Sequence, residues 1–298
     1  MANITVAELN DSMPTIVAAE ALGYLKANTV LARLVRRVWD DQPRTKGQVI
    51  KIPFTGALVA SDKAANTVVT LQAAADTAVS LTLNKHKETS FLIEDPGKVF
   101  ATPDYLTAYI QDGMKVIAEA IDGDIAALYA GFSQTIDATL GLGEDDAREA
   151  RRLLNAAKAP LADRSLVLHE DAEFEMLGIE RVVNRDYAEA LGAAAANAFI
   201  TRFAGFNVFL DQKIAVAGGQ CKNLAFHRDA IAIASAPLPQ APAGLGVNQA
   251  VMNEDGIGLR VTTSYSPDHL GMQATIDVLY GVTELRDNHG VAISTDEI

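Results

Sequence analysis

The sequence predicts an α+β chain assembled from outstretched pieces rather than one closed globule. Three observations predict it. Residues 78–93 (AVSLTLNKHKETSFLI) alternate apolar and polar positions over an unusual length, the period of a strand. Leu106, Ile110, Met114, Ile117, Ile121, Ile125, Leu128 and Phe132 recur every three or four residues, the period of one helix face. Residues 136–249 then switch repeatedly between short apolar strands and short helical stretches. The 298 residues suit one elaborate domain or two modest ones.

Composition narrows the function. Apolar residues make up 49% and charged residues 21%, a globular balance that excludes a disordered or collagen-like chain. A net charge of −13 argues against a general nucleic-acid-coating role, because phosphate binding needs a basic surface. The single cysteine, Cys221, excludes an intramolecular disulfide and any multi-cysteine metal site. The most apolar long window, 187–206, is interrupted by Glu189 and Arg202, so no membrane helix is expected. Residues 1–20 lack a positive n-region and a compact apolar h-region, so no secretory signal is expected and the Asn3-Ile4-Thr5 sequon reads as accidental. A soluble protein made in the cytoplasm is the expectation.

Taken in order, residues 1–45 mix helical patches (13–27, then 29–39) with Gly, Pro and Asp breaks and show no core of their own, which reads as an arm. The arm is basic. From Lys26 to Lys51 seven basic residues face only Asp40 and Asp41, a net +5 that leaves −18 for the rest. Arg33, Arg36 and Arg37 interleave with Leu31, Leu34, Val35, Val38 and Trp39, a surface that can pack and pair at once. Two readings stand: a solvated helix face, or an arm that docks on the acidic body of another copy.

Residues 47–55 alternate, with Ile50, Ile52 and Phe54 on one face. With the strand at 78–93, which could reach about 50 Å at 3.3 Å per residue, they read as a long two-stranded ribbon with a small-residue tip at 56–77. Isolated ribbons are marginal in water, so this one must lie on something, most simply a neighbouring molecule. The other reading is two strands of an ordinary sheet joined by a long loop. Asp95-Pro96-Gly97 closes the strand.

Thr102-Pro103-Asp104 is a helix start, with an N-cap, a first-position proline and an acid on the positive end of the dipole. The helix to Phe132 would run about 42 Å at 1.5 Å per residue, more than twice the usual length. A second helix covers 144–159, stopped by Pro160; 165–169 is a short buried strand and 171–177 a short helix ended by Gly178. Residues 188–200 read as helical, 205–211 as a strand, 218–219 as a turn, and about 227–235 as a helix. Pro237, Pro239, Pro242, Gly244 and Gly246 form a linker to a hairpin that runs out along 257–265 and back along 274–280; a short strand pair surrounds Asn288-His289-Gly290.

The search for catalytic chemistry mostly returns structural readings. Gly97-Lys98 is followed by Val99, so there is no phosphate loop. His227-Arg228-Asp229 copies three letters of a kinase catalytic loop but lacks its asparagine, and Asp229 reads better as a helix-start acid. His86, His169, His227, His269 and His289 show no metal-ligand spacing, and Cys221 reads as a buried inert thiol. Glu119, Asp122 and Asp124 read as a solvated acidic face, with a cation site as the other reading. No cofactor, metal site or catalytic residue is expected.

The order of parts carries a resemblance. Residues 79–88 through Phe91-x-Ile93 resemble the returning strand of an extended loop, and 106–132 a spine helix. Residues 204–208 (AGFNV) resemble a strand entry of an axial domain, 224–234 (LAFHRDAIAIA) the segment leaving it, and Tyr280-Gly281-Val282 through Gly290-Val291 the terminal strands. Together they resemble the major capsid (coat) proteins of tailed phages, the Hong Kong 97-type fold, over nearly the whole chain. Within that family the sequence is most similar to members that assemble with a separate scaffolding protein.

The resemblance implies an N-terminal arm (1–45), an extended loop (46–95), a peripheral domain with the spine helix (96–135 and 250–281), and an α/β axial domain (136–249 and 282–298). It implies a shell protein of the virion, made in the host cytoplasm, that self-assembles as hexamers and pentamers into an icosahedral procapsid and head around double-stranded DNA. Implied partners are a scaffolding protein, a portal protein and, where the shell carries one, a decoration protein. The acidic body is expected to touch the DNA only weakly, and no membrane is involved. Some relatives carry an N-terminal scaffold segment that is cut away; this chain begins almost at the arm, so a separate scaffold and no maturation cleavage are expected. Candidate inter-subunit contacts are Arg33, Arg36, Arg37, Trp39, Lys51, Lys63, Lys85 and Lys87. The alternatives are an encapsulin-like nanocompartment shell, or a soluble α/β enzyme with a site in 136–249.

Overall fold

A computed structural model gives the fold and describes residues 21, 25, 29–37, 49–54, 58–72, 76–94, 104–138, 141–179, 202–240, 242, 247–254 and 257–297. After one turn of helix, α1 (Leu31–Leu34), come β1 (Arg36–Arg37), β2 (Val49–Phe54), β3 (Thr77–Thr82) and β4 (Lys85–Glu94). The long helix α2 (Asp104–Ala126) leads to β5 (Gln134–Asp137), α3 (Glu144–Ala156), β6 (Arg164–Leu168) and α4 (Glu170–Leu177). Strands β7 (Arg202–Phe203), β8 (Phe206–Leu210), β9 (Val216–Ala217), β10 (Gln220–His227) and β11 (Ile231–Ala236) follow. The chain ends in β12 (Val247–Glu254), β13 (Ile257–Ser266), β14 (Gly271–Glu284) and β15 (Gly290–Asp296). The helix expected at 188–200 and Trp39 lie outside the described residues.

These strands build two sheets and a ribbon. The first sheet runs β1-β11-β14-β13-β12, with β4 also on β14. Strand β14 is its axis: β4 pairs along one edge, while β13 and β11 share the other end to end, meeting where Gly258 N donates to Ser235 Oγ at 2.8 Å. The second sheet runs β5-β15-β10-β6-β8-β7, with β9 on β10. The ribbon is β2 against β3. After α2 has carried the chain from the first sheet to the second, the chain crosses back and over again at two adjacent places, the single turns Arg228–Ala230 and Asp287–His289. Ala230 O accepts from both Leu285 N (2.7 Å) and Arg286 N (3.2 Å), and His227 meets His289 edge to face at 5.9 Å.

Burial follows the sequence pattern. Ile110, Met114, Ile117, Ile121 and Ile125 of α2 pack on Ile276, Val278 and Tyr280 of β14 in one core. The opposite face of the first sheet presents Ala232, Ala234, Ala236 and Leu279 to Ile50, Ile52, Leu81 and Leu83 of the ribbon base. A third core joins α3 and α4 to the second sheet through Leu154, Met176, Leu166, Phe206 and Ile293. The ribbon crosses β14 at Gly281, where a side chain would collide with the Thr82 carbonyl. Beyond Ala126 the long helix tightens into a 3-10 turn, Ala127–Gly131, and Phe132 lays its ring on Gly290, where no side chain fits. Among the described residues no helix is long and apolar enough to cross a membrane.

Three expectations change. The alternation at 78–93 is not one strand. It divides at Leu83-Asn84, so that β3 stays with β2 while β4 is captured by the open edge of β14. Alternation fixes which side chains share a face, not which strand they pair with. The helix expected at 227–235 is one 3-10 turn followed by β11, buried at every position. Its alanines read as helical, but here they are small because the ribbon base packs directly on them. The arm's described part is not detached: Ala21, Leu25, Leu31, Ala32 and Val35 are buried against α2, and β1 joins the edge of β11.

Candidate inter-subunit surface

Beyond the ribbon base the chain leaves its own body. Every residue from 58 to 72 is exposed, including Leu58 (69%), Val59 (71%), Val68 (91%), Val69 (59%) and Leu71 (90%). Asn66 adopts a left-handed φ of 65°, and Thr67 Oγ1 donates to Ala64 O at 2.8 Å, which shapes the tip. Gln72 clasps the two limbs: its Oε1 accepts from Val59 N at 2.8 Å and its Nε2 donates to Val59 O. The loop is thus shaped without a core. Each aliphatic side chain left in water forgoes roughly 1.5–3 kcal/mol of burial, and exposed apolar clusters of this kind mark interaction surfaces.

The sequence-predicted contact residues separate into two groups. Arg33 is exposed on α1, Lys51 points away from the body on β2, and Lys63 sits in the loop. Arg36 and Asp229 form an exposed pair at 3.4 Å, and Arg37 Nε donates to Ala32 O at 3.5 Å. Lys85 and Lys87 turn inward instead: both reach Asp124 of α2, at 2.7 Å and 3.8 Å. Those two are engaged within the subunit, because β4 lies on β14 rather than in a free ribbon.

The acidic run of α2 is neither a solvated face nor a cation site. Each acid ties the helix to a different element. Asp122, 2% exposed, accepts from Val30 N (2.6 Å) and Ala32 N (3.0 Å) and so holds the N-terminal segment. Burial pushes its carboxyl from 3.8 up to about 7, against the lowering effect of those hydrogen bonds. Asp124 feels burial too, but the Lys85 ammonium and the Tyr280 hydroxyl outweigh it and hold the carboxyl below its ordinary value. Glu119 pairs with Lys213 at 3.0 Å, across a cleft of about 240 Å³ between α2 and Leu210–Lys213. The clamp on Val30 and Ala32 gave no signal in the sequence, since its donors are backbone groups about 90 residues away.

No protein-family model and no curated protein matches the sequence. Solved structures match it along nearly its whole length. A chain of Mycobacterium phage Che8 is 21% identical with a TM-score of 0.66, over 89% of this chain and 90% of that one. The capsid structure of the cyanophage P-SCSP1u is 13% identical with a TM-score of 0.65, over 91% and 89%. The holo-SrpI encapsulin complex of Synechococcus elongatus is 13% identical with a TM-score of 0.54, over 89% and 87%. The two sheets, the spine helix and the projecting loop are therefore those of the tailed-phage capsid fold, the Hong Kong 97 type that the order of parts in the sequence resembles.

Proposed function

We propose that this chain is a major capsid protein that self-assembles into the icosahedral head shell of a tailed phage around double-stranded DNA. The observation that carries the proposal is the loop 58–72, aliphatic and uncovered by its own subunit. A structural rather than catalytic role follows: the loop, with Arg33, Lys51 and Lys63, would lie on the next subunit. Residues 1–45 then serve as arm, 46–95 as extended loop, 96–135 with 250–281 as peripheral domain, and 136–249 with 282–298 as axial domain. A separate scaffolding protein and a portal protein are the proposed partners, and the virion is the proposed location. With a net charge of −13 the shell would hold its DNA without gripping it.

An encapsulin-like compartment is the second reading, favoured by the match to the SrpI complex. The test is gel filtration and negative-stain microscopy of the full chain, with and without a scaffolding protein. Shells or capsomers are expected, and replacing 58–72 by a Gly-Ser linker should leave a folded, unassembled subunit. A compact monomer at every concentration overturns the proposal. Nuclease-protected DNA inside particles supports the phage shell, and a packaged protein supports the compartment.

A further inference from the structure

The chain's one thiol has company that the sequence spacing hides. Cys221, in β10, is fully buried. His169 caps α4 and Asp171 stands in that helix's first turn. The three side chains converge: Cys221 Sγ lies 3.3 Å from His169 Nδ1 and 3.6 Å from Asp171 Oδ2, and Nδ1 lies 3.2 Å from Oδ2.

His169 Nδ1 accepts only a long hydrogen bond from Asp171 N, at 3.4 Å, so it carries a lone pair and not a proton. A carboxylate only accepts. The S–H is then the one side-chain proton of the cluster, and it is placed to donate to Asp171 Oδ2. That leaves two acceptor atoms, Nδ1 and Oδ2, facing each other at 3.2 Å with no proton between them. A metal would sit between all three atoms, taking the Nδ1 lone pair in place of the long bond from Asp171 N. Zinc takes nitrogen and oxygen at about 2.0–2.2 Å and sulfur at about 2.3 Å in a tetrahedron, whose edges would be about 3.3–3.6 Å. The observed separations of 3.2, 3.3 and 3.6 Å are close to those edges.

The surroundings favour a cation: the carboxylates of Asp171, Glu297 and Glu175 all act on the sulfur, and a bound cation would meet that negative charge and hold the sulfur as thiolate. The ligands are also held in place: His169 N donates to Asn223 Oδ1 at 2.7 Å, and Asn223 Nδ2 donates to Thr295 Oγ1 at 2.9 Å. Asn223 and Thr295 are fully buried. The Asp171 side chain is 20% exposed, which leaves an entry path.

We infer that Cys221, His169 and Asp171 bind one divalent transition metal of the zinc class, with water or a further carboxylate completing the tetrahedron. Binding forms a metal–sulfur bond and releases the thiol proton to solvent. The metal would staple α4 to β10, and the inference is independent of the shell reading.

The test uses tag-free full-length chain, stripped with chelator and titrated with Co²⁺. A thiolate-to-cobalt charge-transfer band is expected at one ion per chain, displaced by Zn²⁺; with a single cysteine in the chain, no other residue can produce it. Cys221→Ser should abolish the band. Asp171→Asn, at a partly exposed position that should fold whatever happens to the buried thiol, should weaken Co²⁺ affinity at least tenfold, in line with loss of a metal ligand. Zn²⁺ should raise the melting temperature of the natural chain but not of the Cys221→Ser chain. Absence of the band in the natural chain, or an unchanged affinity in Asp171→Asn, overturns the inference and leaves a hydrogen-bonded cluster.

Discussion

At the ribbon's base, Ile50, Ile52, Leu81 and Leu83 are each 5% exposed or less; at its tip, Val68 and Leu71 are 91% and 90% exposed. Both ends use aliphatic residues outside any helix. What differs is the surface the subunit offers. Under the base lie Ala232, Ala234 and Ala236, small enough to let the ribbon settle on the first sheet, with Gly281 opening the crossing point. Beneath the tip no described residue of the subunit provides cover. The base is therefore completed by folding, and the tip only by association.

The largest expected effect comes from exchanging one leucine at each end. Leu81→Ala should lower the unfolding free energy of unassembled subunits by roughly 2–5 kcal/mol, the cost of a buried leucine and its cavity. Leu71→Ala should change it by no more than about 0.5 kcal/mol. Assembly should rank them differently: Leu71→Ala raises the concentration needed for shells without touching the fold. Denaturant titration and light scattering read the two quantities separately. Equal destabilisation by both variants would break the distinction between base and tip.

Much of this was legible from periodicity. The apolar face of α2 emerges at Ile110, Met114, Ile117, Ile121 and Ile125, all buried, and β2 emerges with Ile50 and Ile52 inward. Period reports which residues share a face, and a face is a local property. Pairing is not local, so the division of 78–93 between two sheets could not be seen. Nor could β11, whose alternating alanines and isoleucines fit helix or buried strand equally until the ribbon is placed on them. The sites fared worse for the same reason. Lys85 and Lys87 share a face as read, but that face meets Asp124 of the same subunit. Cys221 has His227 six residues away in the sequence, yet the histidine it meets is His169, 52 residues away at the end of the neighbouring strand β6.

A middle-sized effect tests whether the N-terminal segment belongs with the base or the tip. Asp122 secures it from below. Its carboxyl rises from 3.8 unfolded to about 7 folded, so the folded chain binds the extra proton. That contribution to stability is fully present below about pH 4 and is lost as pH rises through about 7. His227 and His289 act in the opposite sense, since burial holds both below the ordinary histidine value. The readout is therefore a difference. The unfolding free energy of the natural chain minus that of Asp122→Asn should fall between about pH 4 and pH 7 and level off above. A difference that stays flat through that window would detach the segment from Asp122.

The smallest expected effects separate charge at the two ends. Lys85 is one-third exposed and pairs with Asp124 at 2.7 Å, while the Tyr280 hydroxyl holds the same carboxylate. Lys85→Met should therefore cost the subunit at most about 1 kcal/mol, as for a half-exposed ion pair. Lys51 and Lys63 face solvent, and reversing either to Glu should leave the unfolding curve of the subunit in place. If the tip is drawn toward an acidic neighbour, both reversals should slow assembly at low salt. That difference should vanish near 1 M salt, where the Debye length shrinks to about 3 Å. A neutral outcome for both reversals at low salt would assign the docking to Leu58, Val68 and Leu71 alone. A fall in subunit stability on reversing Lys63 would mean that the tip leans on its own body after all.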